Sequence, residues 1–199
     1  MKILDLGKKD YLSVLGLQLK LLKEKQLGLE KNDFIILVEH YPVYTCGKST
    51  KEEHLKFLKK DEVIEIERGG SITFHGIGQI VAYPIINLSN RKLSVKNYVW
   101  ILEESIIRTL SDFGINAFRL EGKRGVFTDK GKIGFIGIRV SKHITMHGIS
   151  LNVDVDKAFF DRIIPCGLEN IPVANVSDFK DVSFENIKLK LVDNLKKLF

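Results

Sequence analysis

Leu12, Leu15, Leu19 and Leu22 recur at helical spacing between Asp10 and Gly28, with Lys20, Lys23 and Glu24 pointing elsewhere, a pattern that predicts an amphipathic first helix. Residues 34–39 change the period: the unbroken apolar run 34–38 predicts a buried strand over this stretch. Val63, Ile64 and Ile66 predict a second strand ahead of a glycine-rich turn. Residues 79–86 predict a third, with Pro84 marking a sheet edge or a strand end. Val95, Val99, Leu102, Ile106, Leu110 and Phe113 then line one side of a long helix, and Gly114 stands where a C-cap glycine belongs. Residues 132–140 and 144–153 are β-rich runs parted by Ser141, Lys142 and His143, which predicts a hairpin. Asp154 or Asp156 can cap a short helix leading to Pro165, and Ile187, Leu191, Leu195 and Leu198 make a closing amphipathic helix. Adjacent strands joined by tight turns and flanked by helices predict an α/β fold of the α+β type, a mixed, mostly antiparallel sheet with helices packed on it.

The chain has 199 residues, 44% of them hydrophobic and 28% charged, enough apolar content for a folded core. Without a linker, repeat or low-complexity tract, residues 1–199 are expected to form one domain, by default a monomer. The longest apolar run, residues 34–38, falls far short of the roughly 20 residues a membrane span needs, and residues 1–11 carry charges where a signal peptide needs its apolar stretch. A cytoplasmic, membrane-free protein is expected. Lysine and arginine exceed acidic residues to leave a net charge of +6, which favours an acidic partner. The lysines (Lys20, Lys23, Lys25; Lys188, Lys190, Lys196, Lys197) are spread along helices as a solvated face, not gathered with aromatics, which argues against nucleic acid.

Three motif-like strings fail on spacing. Gly47-Lys48-Ser49 ends like a phosphate-binding loop, but the leading glycine position holds Pro42. Gly76-Ile77-Gly78 begins like a dinucleotide fingerprint, but its third glycine position holds Val81. His143 and His147 are four apart, as zinc ligands on a helix can be, but in a strand four residues span about 13 Å, too far for one metal ion. No metal and no cofactor are expected.

Three candidates remain. Residues 68–79, with four glycines, Arg68 and His75, make either a ligand-approaching loop or a tight hairpin turn. Cys166, pinned between Pro165 and Gly167, is either a nucleophile facing a cleft or a buried small hydrophobe; Cys46 carries only the second reading. Two cysteines make no disulfide framework. Lys132 opens an apolar, glycine-punctuated strand, either as a desolvated amine or as a snorkelling edge lysine.

In order, His40-Tyr41-Pro42-Val43-Tyr44-Thr45, residues 68–79, the Lys132 strand, His147-Gly148-Ile149-Ser150-Leu151-Asn152 and Ile164-Pro165-Cys166-Gly167 resemble the octanoyltransferase family. Ile77 departs from the family's usual proline and Phe127 from a common tryptophan, positions of loop stiffness and packing. The resemblance implies a biotin/lipoate protein ligase-like fold and transfer of an octanoyl or lipoyl group through a Cys-Lys pair. The donor would be octanoyl-acyl carrier protein. The acceptors would be lipoyl domains of 2-oxoacid dehydrogenases and the glycine cleavage H protein. By motif, Cys166 would be the nucleophile and Lys132 the residue lowering its pKa. The acyl site would be lined by Arg68, Gly69, Gly70, Ser71, Ile72, Thr73, Phe74 and His75, by Phe135, Ile136 and Gly137, and by Gly148, Ile149 and Ser150.

The chemistry is feasible. A thiol near pKa 8.5 needs about 2.7 kcal/mol to shift two units, and an ammonium about 4 Å away supplies roughly 4 kcal/mol at an effective dielectric near 20. Backbone N–H groups near Cys166 or at Gly69-Gly70 are candidate oxyanion donors, and the glycines of the Lys132 strand are expected to open room for the acyl chain. The rivals are an ATP-dependent lipoate or biotin ligase of the same fold and a non-catalytic basic binding module.

Overall fold

Asp10 ends one element and starts the next. Its backbone is extended after strand β1 (Lys2–Lys9), and its carboxylate accepts a hydrogen bond from the Ser13 amide at 2.8 Å, capping helix α1 (Tyr11–Gln26). The computed structural model describes residues 1–168 and 171–199. The chain continues through β2 (Phe34–His40), β3 (Val43–Cys46), β4 (Val63–Glu65), β5 (Thr73–His75) and β6 (Gln79–Ile85) to helix α2 (Val95–Asp112). Strands β7 (Phe118–Leu120), β8 (Lys123–Thr128), β9 (Gly131–Ser141) and β10 (Ile144–Asn152) follow, then helices α3 (Ala158–Asp161) and α4 (Phe184–Leu198).

Seven strands form one sheet in the order β1-β2-β6-β10-β9-β8-β7, and three form a second in the order β4-β3-β5. Among the described strands only β1/β2 and β3/β4 pair in parallel, so the expected mixed, mostly antiparallel architecture holds. The β9–β10 hairpin closes through Lys142 (φ 46°) and His143 (φ 65°), the positive angles a tight hairpin turn requires. Strand β6 is interior, so Pro84 marks a strand end and not an edge; its carbonyl accepts the Thr145 hydroxyl at 2.6 Å.

Alternation along β2 and β6 divides the core. Ile35, Leu37, Ile80 and Ala82 pack towards α2 and α4, whereas Phe34, Ile36, Val38, Val81 and Tyr83 belong to the cluster that includes α1. A third cluster, with Tyr44, Ile72, Phe74, Phe135 and Phe160, lies against the small sheet. The leucine stripe predicted for α1 is only partly its buried face. Leu22 of that stripe is buried and Leu15 half-buried, but Leu12 and Leu19 are 60% and 43% exposed, and Tyr11, Val14, Gln18, Leu21 and Lys25 complete the buried side. Gln18 explains the rotation, because its Oε1 accepts the His147 amide of β10 at 2.8 Å and turns that side of the helix to the sheet. Lys25, read as solvated, is buried on the Asn32 carbonyl (2.6 Å) and the Asp33 carboxylate (3.0 Å). Among the described residues no helix is long and apolar enough to cross a membrane.

Candidate active site

The β9–β10 hairpin is the floor of a pocket. Phe135 opposes Ser150 and Gly137 opposes Gly148, so these four share one face, while Ile136 and Ile149 send their side chains into the α2 core and offer only backbone. Tyr11 from the first turn of α1, Thr73 and His75 from β5, Tyr83 from β6 and Arg68 complete the walls around Cys166. The lining is mainly apolar and the cavity is narrow, about 30 Å³, room for little more than a water or two with the walls as they stand.

Cys166 sits on the single turn Pro165–Gly167 at φ 57°, ψ 16°, a left-handed conformation that is strained for a residue with a Cβ. What holds it there is its own amide, which donates to the Ile72 carbonyl at 2.9 Å, and Gly167, where a side chain would strike the His54 ring. The thiol is half-buried and lines the pocket. Cys46, by contrast, is core packing, 7% exposed, and burial pushes its thiol pKa up.

Arg68 is the pocket's cation. It is 6% exposed and lies across Gly137, where a Cβ would come 2.8 Å from its Cδ. Two imidazoles share the wall, and burial pushes both His75 and His147 down to about 3, so they are neutral at pH 7. Burial raises the Tyr11 phenol to about 12. Three buried polar atoms of the lining, Thr73 Oγ1, His147 Nδ1 and Ser150 Oγ, have no hydrogen-bond partner among the described residues.

Lys132 is 3% exposed, a desolvated amine and not a snorkelling one. Its ammonium donates to the Arg124 carbonyl at 2.9 Å and lies over the Phe127 and Phe135 rings at 5.5 and 5.0 Å. It makes no hydrogen bond with Cys166 and does not line the pocket; the Phe135 ring is common to both.

Of the expected acyl-site residues, Arg68, Thr73, His75, Phe135, Ile136, Gly137, Gly148, Ile149 and Ser150 line the pocket with Cys166. Gly69, Gly70, Ser71, Ile72 and Phe74 do not: Ile72 and Phe74 are core, and the Ser71 carbonyl is bound by Arg68. The glycines of β9 do not open free room either, since Gly134 packs on Ile106 of α2 and Gly137 is covered by Arg68. Of the expected oxyanion donors, the amides of Cys166 and Gly69 are occupied by the carbonyls of Ile72 and Ile138, while the Gly70 amide makes no hydrogen bond among the described residues. Sequence reasoning missed Tyr11, Tyr83 and His147. The first two have no local signal, but His147 stands beside a glycine in a strand, the mark of a kink, and it adopts φ 57°. Among the described residues no group of His, Cys, Asp and Glu side chains is placed to hold a metal ion.

Residues 10–196 match the lipoyl protein ligase A/B catalytic domain. Over 197 residues, 99% of this chain and 97% of the relative, the sequence is 50% identical to the octanoyltransferase of Persephonella marina. It is 42% identical to the octanoyltransferase of Pelobacter propionicus over 175 residues, 86% and 81% of the two chains. Lipoate-protein ligase A, in a crystal structure with bound ATP, shares the fold with a TM-score of 0.73 at 16% identity, covering 99% of this chain and 84% of that one.

Proposed function

The chain belongs to the lipoyl protein ligase A/B catalytic domain family, and from that premise we propose that residues 1–199 act as one octanoyltransferase unit working through a thioester on Cys166. The observation that carries this reading is the contrast between the two thiols: Cys166 is half-buried on a strained turn and lines a mainly apolar pocket, while Cys46 is 7% exposed, packs in the core cluster and borders a separate cleft lined by lysines and glutamates. The Cys166 thiolate attacks the thioester carbonyl of octanoyl-acyl carrier protein, and the carrier's thiolate leaves and takes up a proton. The thioester on Cys166 is of nearly equal energy, so no ATP enters. The uncharged amine of a lipoyl-domain lysine then attacks, the amide forms, and the Cys166 thiolate is released. Lys132 completes the pair. Its ammonium gives a proton to the departing carrier thiolate, and the amine so formed takes the proton that the attacking nitrogen must lose.

Intact mass spectrometry after mixing with octanoyl carrier tests this. A single octanoyl adduct is expected on the natural protein and on Cys46→Ala, and none on Cys166→Ala; Lys132→Met should slow transfer to a lipoyl domain far more than loading of Cys166. An undiminished adduct on Cys166→Ala sinks the reading. Modification of the lipoyl domain from free octanoate and ATP would instead make the protein a ligase.

A further inference from the structure

Helix α1 has an outward face that the fold does not use. Tyr11, Leu15, Leu19 and Lys23 stand four apart in the chain, so they form one ridge that winds round the helix. Tyr11 is buried and lines the pocket, Leu15 is half-buried, and Leu19 and Lys23 are exposed, which makes the ridge a track from the pocket wall to solvent. From Tyr11 to Lys23 it climbs about 18 Å along the axis.

Leu12, Gly16 and Lys20 form the neighbouring ridge, and all three are exposed. Gly16 has no reason inside the fold. A glycine in mid-helix costs stability relative to alanine, its backbone here is ordinary helix, and among the described residues nothing lies within 4 Å of a Cβ built on it. What the glycine does create is a hollow between Leu12, Ser13, Leu19 and Lys20, the four-sided hole that receives a side chain from a packed helix. Two exposed leucines beside such a hole make an apolar patch that meets only water in the isolated chain.

The surroundings of the hollow are basic. Lys20 and Lys23 point outward, and the single acidic residue of α1 is Glu24, half-buried and 3.9 Å from Lys20. Lys25 takes no part, being turned inward to Asp33, and at the foot of the helix the Asp10 carboxylate is engaged by the Ser13 amide. An apolar hollow flanked by outward lysines complements a helix that carries an apolar side chain among carboxylates.

We propose that this face of α1 is where the acidic acyl carrier protein docks. An apolar side chain of a carrier helix enters the hollow over Gly16, carboxylates beside it meet Lys20 and Lys23, and the acyl arm follows Tyr11, Leu15 and Leu19 to the pocket. The reading rests on Cys166 receiving its octanoyl group from that carrier. It adds a place and an orientation to the attraction that net charge alone supplies.

The test is steady-state kinetics with octanoyl carrier as the varied substrate, on the natural protein, Lys20→Glu/Lys23→Glu, Gly16→Glu and Lys196→Glu/Lys197→Glu, each checked for folding by circular dichroism. The α4 pair changes the net charge as much as the α1 pair, but α4 packs on the opposite face of the large sheet. The α1 pair should raise the KM for carrier about tenfold with kcat within about twofold, and the α4 pair should raise it no more than about threefold. Gly16→Glu improves helix propensity, so its urea midpoint should stay at or above the natural one while its KM for carrier rises several-fold. The KM for the lipoyl domain should not follow. An α1 pair whose KM moves no more than that of the α4 pair overturns the proposal, as does a folded Gly16→Glu with the natural KM, or a rise that falls on the lipoyl domain in place of the carrier. If the α1 pair does not fold, Gly16→Glu decides. Failure of the acyl-transfer reading is separate, because it would show as a natural protein that takes no octanoyl group from the carrier.

Discussion

At the scale of single residues, glycines in one chain serve opposite ends. A Cβ on Gly148 would collide with the Ala82 carbonyl and come 2.8 Å from Pro84 Cδ, so the floor of the pocket has no space for a methyl group. Gly148→Ala should destabilise the protein by about 1–3 kcal/mol in urea denaturation and depress octanoyl transfer. Gly16, exposed on α1 with nothing within 4 Å, is the control: Gly16→Ala should stabilise by roughly 0.5–1 kcal/mol through helix propensity. Both positions read alike in the sequence. The difference lies in which backbone passes overhead, and that depends on β6, distant in the chain from β10.

At the scale of elements, strands bring histidines from far apart in the chain into one wall. His75 on β5 and His147 on β10 have folded pKa values of about 3 because burial disfavours the imidazolium, against about 6.5 in the unfolded chain. Between those values only the unfolded state gains protons, so the stability present above pH 6.5 is lost as pH falls. At pH 5 the loss should be about 2 kcal/mol for each histidine. Denaturation at pH 7 and pH 5 measures it, and His147→Gln should shrink the difference by about 2 kcal/mol, with His40, also held down by burial, keeping its share; an undiminished loss in that variant would show that His147 is not buried neutral. Element type was legible because hydrophobic period reports it: the β9–β10 hairpin, α2 and α4 lie where the pattern placed them. The buried side of α1 was not legible, since two overlapping apolar stripes fit one helix and the bond from Gln18 to β10 selects between them.

At the scale of the whole molecule, the net charge of +6 acts over distances that no single contact covers. Acyl carrier proteins are strongly acidic, so long-range attraction should raise their rate of encounter, and salt should screen it. The KM for octanoyl carrier should rise several-fold between roughly 50 and 500 mM salt, with kcat little changed. A KM indifferent to salt would exclude steering. Composition, charge and residue order determined what this protein can be: an α/β fold with a Pro-Cys-Gly turn, a glycine-rich arginine segment and a lysine opening an apolar strand, because periodicity and local backbone restriction are properties of neighbouring residues. Only the tertiary structure decided which groups meet. It set Arg68 in the pocket wall with Cys166, turned Lys132 to Arg124, and brought in Tyr11, Tyr83 and His147, because proximity between distant segments is settled by packing and by where each buried polar group finds its partner.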